Sequence, residues 1–320
     1  MRFLLRMAVV ALIAIGSDAA YAQNYPNRPI TVIVPFGPGS ATDTITRIVT
    51  QNLAAAMNAT IIVENKAGAN GAIAGTYVAR SVPDGYTLLM ATNSPLSAAP
   101  SLNKTLNYDP VKDFVSLSRV GSYIFILAVH PGVPAQSLQQ LIAYAKANPG
   151  KLSFASGNTS GLVAGETFKS WAGIDIVHVP YRSAPPAIND LLAGRVSMMF
   201  TDITIGMPHV RANSLRALAT TRLQRSTILP DLPTLNEAGV RGFDMDSWAG
   251  LFAPAGTPRD IVVKLNTELR KVIDNPETKA KIATLGFEAF SSSTEELDQH
   301  VKVQLEKWTK MIKDAGIQPE

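Results

Sequence analysis

Short apolar runs alternate with helical patterns along most of this chain. Residues 30–34 (Ile-Thr-Val-Ile-Val) read as a buried strand. Ile45, Ile48, Val49, Leu53 and Met57 follow at near-helical spacing. Strands are expected at 60–64 and 86–91, with a helix over 71–81 that stops before the turn Pro83-Asp84-Gly85. A second block opens with an apolar strand at 123–130, closed by Pro131-Gly132, and a helix at 137–147, ended by Asn148-Pro149-Gly150. Strand 152–155 leads into a helix from about Leu162, and strands 176–179 and 196–200 bracket a helix over 186–193. Pro185-Pro186 suits that helix start, where a missing N–H costs nothing. After the apolar run 248–253 come helices at 259–274, 276–285 and 293–315. This alternation predicts an α/β protein with largely parallel sheets and no tandem repeat.

The chain has 320 residues, more than one core usually serves, so two units are expected. The first comprises 23–122 plus a returning segment 249–320, and the second 123–248. Two chain crossings between the units would act as a hinge.

The first 22 residues change the picture. Arg2 and Arg6 precede an apolar run over 7–15, and Ala20-Tyr21-Ala22 has the small-x-small form of a cleavage site. The apolar stretch is well short of the ~20 residues that span a bilayer, so it reads as a secretory leader removed after Ala22. The remainder should be exported and not inserted in the membrane. With no cysteine anywhere, disulfides, a lipid-anchored thiol and thiolate metal sites are excluded. The formal net charge is +4, carried by scattered residues without a basic block. That argues against nucleic acid and supports only a modest attraction for small anions.

Candidate chemistry lies in two loops. After strand 30–34 comes Pro35-Phe-Gly-Pro-Gly-Ser-Ala-Thr42, a glycine-rich turn opening a helix. After strand 152–155 comes Ser156-Gly-Asn-Thr-Ser-Gly161, with the same order of strand, small polar residues and helix. Unpaired N–H groups and the positive dipole end make a helix N-terminus an anion site. In open α/β sheets such loops converge beyond the C-terminal strand ends. Two of them facing one cleft, with the hydroxyls of Ser40, Thr42, Thr159 and Ser160, can bind a carboxylate without arginine. Each hydroxyl singly also reads as a helix N-cap.

Enzyme readings are weaker. Neither Ser40 nor Ser160 sits in a G-x-S-x-G elbow, since Pro38 and Asn158 occupy the first glycine positions. His130, His178, His209 and His300 lack metal-ligand spacing, and His178 reads as a structural histidine. A dinucleotide-dependent oxidoreductase is a remote alternative. Gly37-Pro-Gly39 with Glu64 mimics the fingerprint, but Thr42 stands at the third glycine. Neither cofactor nor metal is expected. Asp43, in the first helical turn, reads as a dipole-complementing residue.

Seven motifs then occur in order. They are Tyr25-Pro-x-Arg-Pro-Ile30, Pro35-Phe-Gly-Pro-Gly39 with Asp43, Val63-Glu-Asn-Lys-x-Gly68, Asp84-Gly-Tyr86, His178-Val-Pro-Tyr-Arg182, Leu215-Arg-Ala-Leu-Ala219 and Pro230-Asp-Leu-Pro-Thr-Leu-Asn-Glu-Ala-Gly239. From about Tyr25 onward the chain resembles the solute receptors of tripartite tricarboxylate transporters, the periplasmic Bug family. The resemblance implies a two-lobed, type II periplasmic-binding fold that closes on a small organic carboxylate, without covalent chemistry, and hands it to membrane subunits. It implies a monomer in the periplasm; a sensor presenting its ligand to a regulator would use the same pocket.

Carried over by position, the resemblance implies Phe36, Gly37, Gly39, Ser40 and Thr42 from the first loop. From the second it implies Ser156, Gly157, Asn158, Thr159 and Ser160. Asn93, Ser94, Tyr181, Ala184 and Asp202 complete the expected site. Asp202 could accept a hydrogen bond from a ligand amine or hydroxyl. Two positions depart from the family pattern. Ser40 replaces a glycine and Leu162 stands where a histidine is common, so the identity of the ligand does not transfer.

Overall fold

The computed structural model describes residues 25–226 and 228–319; the leader expected over residues 1–22 lies outside them. The first half of the chain forms β1 (Ile30–Val34), α1 (Ala41–Met57), β2 (Ile61–Asn65), α2 (Ala72–Ala79), β3 (Thr87–Thr92), α3 (Ala99–Leu102), β4 (Phe114–Tyr123), β5 (Phe125–Val129) and α4 (Leu138–Ala147). Then come β6 (Leu152–Ser156), α5 (Thr159–Ala172), β7 (Ile176–Pro180), α6 (Ala184–Leu192), β8 (Met198–Asp202), α7 (Ile203–Arg211) and β9 (Arg216–Thr220). The last part holds β10 (Ser247–Pro254), α8 (Arg259–Asp274), α9 (Pro276–Ala283), β11 (Phe287–Ala289) and α10 (Thr294–Asp314).

Two sheets result, a six-stranded one in the order β11-β4-β10-β3-β1-β2 and a five-stranded one in the order β7-β6-β8-β5-β9. Ile30, Val32, Ile33 and Val34 of β1 are all fully buried. Helices cover both faces there, and a central parallel strand therefore shows a continuous apolar run. Helix α1 buries Ile45, Val49 and Leu53, begins at the Ser40 cap and ends at Asn58 in the left-handed conformation.

The sheets are mixed rather than largely parallel. β1 pairs in parallel with β2 and β3, and β6 with β7 and β8. In contrast β10 is antiparallel to β3 and β4, and β5 is antiparallel to β8 and β9. The antiparallel strands are those by which the chain passes between the sheets. The expected strand at 123–130 is in fact the junction of two. β4 ends at Tyr123 in the larger sheet and β5 begins at Phe125 in the smaller. Ile124 between them is fully buried, so the apolar run never breaks and its pattern hides the switch.

Helix α10 ties the two cores together. It opens with a capping box between Ser293 and Glu296. Leu297 and Val301 pack with Phe114, Trp248 and Phe252, whereas Trp308 and Ile312, two to three turns on, pack with Phe154, Phe168 and Phe200. Among the described residues no helix is long and apolar enough to cross a membrane.

Candidate functional site

Four helices begin at one small cavity between the sheets. They are α1, α5, α6 and α7, with N-caps at Ser40, Asn158, Ser183 and Asp202. Three of the caps are closed by the side chain. Ser40 Oγ accepts from the Asp43 N–H at 3.2 Å, Asn158 Oδ1 from the Gly161 N–H at 2.9 Å, and Asp202 Oδ1 from the Ile205 N–H at 3.2 Å. Each cap is a local i to i+3 bond, which is why the sequence places them. The cavity is small, with about 20 Å³ of room for the centre of a water molecule. Its polar wall is made of hydroxyls and one amide, together with Asp202; none of its lining residues is Arg, Lys or His.

Of the residues expected from sequence, Phe36, Ser40, Thr42, Ser94, Gly157, Asn158, Ser160, Ala184 and Asp202 line this cavity. Others hold it shut. Asn93, fully buried, donates from Nδ2 to Ser160 Oγ at 2.9 Å and accepts at Oδ1 from Ser247 Oγ. The Thr159 N–H donates to Ser94 Oγ at 3.3 Å. Both bonds join one sheet's loops to the other's. Thr159 Oγ1 is itself buried and has no hydrogen-bond partner among the protein groups.

The glycines serve close approach. Gly39 has φ +77° and lies beneath Pro185, whose Cγ is 3.9 Å from where a Cβ would stand. A Cβ on Gly37 would stand 2.8 Å from Ser183 Oγ across the cleft, and one on Gly157 2.5 Å from Ala184 Cα. The second loop reaches α6 only because Gly157 lacks a side chain, whereas Gly37 meets the Ser183 hydroxyl and Gly39 is favoured by its positive φ.

Two expected residues point elsewhere. Ser156 Oγ bonds to His178 Nε2 at 2.7 Å, toward β7, and that ring stacks on Phe154 with centroids 4.7 Å apart. The Tyr181 hydroxyl donates to Asp190 Oδ2 at 2.7 Å on α6. Alternation along β6 and the short reach from Tyr181 to α6 account for both.

The structure also adds Ala41, Thr92, Tyr123, Phe125 and Ser247 to the lining. Tyr123 donates to Thr42 Oγ1 at 3.2 Å, and its phenol is raised far above its ordinary range by burial, with the Asp202 carboxylate adding to the effect. No local pattern marks Tyr123 or Ser247, because each arrives on a strand separate in sequence from the two loops. The strand expected at 196–200 runs two residues later, so Asp202 is at once its last residue and the cap of α7.

The two carboxylates near the loops differ sharply. Asp43 has burial working against its charge. Hydrogen bonds from Arg47, from the Gly39 N–H and from Asn65 outweigh that and hold its carboxyl below the usual range. Its ion pair with Arg47 spans 3.0 Å, so it stiffens the loop and leaves the cavity to the hydroxyls. Asp202 is only 3% exposed. Burial, opposed by hydrogen bonds from the Ile205 N–H and its own, pushes its carboxyl up to about 7. Among the described residues no cluster of His, Cys, Asp or Glu could hold a metal ion.

A two-lobed receptor with helix ends turned into the interlobe cleft is the class these features define, and comparison with known proteins agrees. The family model described as tripartite tricarboxylate transporter family receptor matches residues 45–317, and the chain belongs to that family. A UPF0065 protein encoded in the tcbD-tcbE intergenic region of Pseudomonas sp. (strain P51) is 36% identical over 312 residues, covering 96% of this chain and 92% of the relative. An R. palustris protein solved with adipate superposes with a TM-score of 0.90 at 32% identity, over 93% of this chain and 100% of that one. The periplasmic binding protein BugD superposes with a TM-score of 0.88 at 33% identity, over 92% of this chain and 100% of that one. The fold is thus that of periplasmic solute-binding proteins.

Proposed function

We propose that this chain captures a small organic carboxylate in the cavity between its lobes. Delivery would be to the membrane subunits of a tripartite transporter, after the leader has been removed near Ala22 and the protein exported. The observation that carries this reading is the convergence of helix N-termini on one cavity between the sheets. Each end holds roughly half a positive charge. Helix α7 begins at the Asp202 carboxyl, whereas α1, α5 and α6 begin at the uncharged caps Ser40, Asn158 and Ser183, which leaves their dipole ends to face a ligand. Hydroxyls of Ser40, Thr42, Ser94 and Ser160 supply further donors without a fixed charge. The adipate held by the R. palustris neighbour is a ligand of the same chemical class.

Binding works through closure. Asn93 meets Ser160, and Ser94 meets Thr159, only when the lobes are together. A carboxylate touching both loops strengthens the same closed arrangement, and this differential affinity is what shifts the open–closed equilibrium. The closed shape is then the signal a membrane partner reads. The test is a thermal-shift screen of mono-, di- and tricarboxylates, aliphatic and aromatic, with calorimetry on the hits. Binding better than millimolar by at least one class is expected, and none at all would defeat the reading.

A further inference from the structure

We propose that Asp202 discriminates among ligands in this cleft by meeting the bound carboxylate as a neutral acid, so that each capture takes up one proton. This rests on the reading of the cleft as a carboxylate site and adds to it the charge the ligand must have.

The cavity contains one carboxyl group of its own and no cation to balance it. An anion sealed into the same space places two carboxylates together in a medium that has lost its water. Two such groups with no side-chain cation beside them disfavour the doubly ionised state, and one proton taken up between them relieves it. Asp202 has no room to turn away. Its Oδ1 caps α7 through the Ile205 N–H, it lies opposite Phe125 in the β5–β8 ladder, and the next residue, Ile203, is packed beneath Gly286.

Among the described residues that line the cavity, Asp202 is the one carboxyl, and none is Arg, Lys or His. β4 presents the Tyr123 phenol, itself bonded to Thr42 of α1, and α5 presents Ser160. Asp43 on α1 is engaged by Arg47, Asn65 and the Gly39 N–H. His209 and Arg211 lie in the last turn of α7, at the opposite end from its cap. Burial has already brought the Asp202 carboxyl up to about 7, so a second negative charge has little further to push it. In the open form water screens the group, and closure is the step that removes that screening.

A protonated Asp202 donates to a carboxylate oxygen, which favours ligands of low charge whose far end is an acceptor. A ligand bringing an ammonium group would instead keep Asp202 ionised and bind without proton uptake.

Calorimetry with adipate at about pH 7.5, where adipate itself is fully ionised, separates these cases. Run in phosphate and in Tris, the heats should differ by close to one proton's worth of buffer ionisation. Affinity should fall as pH rises, by about fivefold between pH 7 and 8 and approaching tenfold per unit beyond that. Asp202→Asn keeps the helix cap and carries its own donor; it should bind adipate with flat pH dependence and no buffer effect. Buffer-independent heats with flat affinity in the wild type, or an unchanged pH slope in Asp202→Asn, overturn the role of Asp202 alone. If adipate, malate and benzoate all fail to bind the wild type between pH 5.5 and 8.5, the carboxylate reading falls and this inference with it.

Discussion

Asn93 Nδ2 donates to Ser160 Oγ at 2.9 Å, joining the end of β3 in the larger sheet to the start of α5 in the smaller. The same amide accepts from Ser247 through Oδ1, so one fully buried side chain ties β3, β10 and α5 together. Replacing Asn93 by Ala leaves the Ser160 and Ser247 hydroxyls without this partner, at about 1–3 kcal/mol for each buried group left unsatisfied. The expected outcome is a ligand affinity lowered by at least tenfold and a shift toward the open form. Calorimetry and small-angle scattering read the two effects separately.

Gly157 lies against the first turn of α6, where an added Cβ would stand 2.5 Å from Ala184 Cα. The obstacle is backbone and cannot rotate aside. Gly157→Ala should push the second loop away from α6, costing about 1–3 kcal/mol of stability. Chemical denaturation measures that loss, and affinity for the best carboxylate should fall in parallel because loop and helix start share one wall of the cavity.

Asp43 makes stability depend on acidity. Its folded-state carboxyl is held below the ordinary range, so its contribution is fully present above the unfolded value near 4 and is lost as pH falls through the folded value. Asp43→Asn should therefore melt lower than the wild type at neutral pH, by about 1–3 kcal/mol for the lost charge-assisted bonds. The gap should narrow as pH falls below about 4. Thermal melts from pH 7 down to 3 check the sign; a gap that widens toward acid would refute it.

Trp308 is fully buried in the smaller lobe's core while Leu297 of the same helix is fully buried in the larger lobe's. Trp308→Ala should cost about 3–5 kcal/mol. Because α10 spans both cores, the loss should also weaken their coupling, so fluorescence and circular dichroism transitions, expected to coincide in the wild type, should separate in the variant.

Much of the site was legible in sequence because its grammar is local. The caps at Ser40 and Asn158 are each satisfied three residues downstream, and a cap of that kind is written in adjacent residues. β1 was likewise read with its observed bounds and the apolar stripe of α1 was recognised, since a continuous apolar run and a helical stripe need no partner to be seen. The missed strands share one cause. β4, β9 and β11 are defined by pairing with segments far away in the chain, and their own sequences mix polar and small residues. Helix α7 contains Pro208, a residue that argues against a helix interior. Ser156 and Tyr181 were expected at the site through the family resemblance, but their side chains are bonded to His178 and Asp190.

The sequence by itself determined the two glycine-rich loops and their caps, because those depend on backbone freedom and on bonds between near neighbours. It also carried the family membership that residues 45–317 bear out. Only the tertiary structure decided that four helix starts meet at one cavity, and that Tyr123 and Ser247 arrive there on β4 and β10. It also decided that Asp202 is buried there without a counter-charge. Burial and electrostatics depend on everything that packs around a group, and no run of neighbouring residues encodes that.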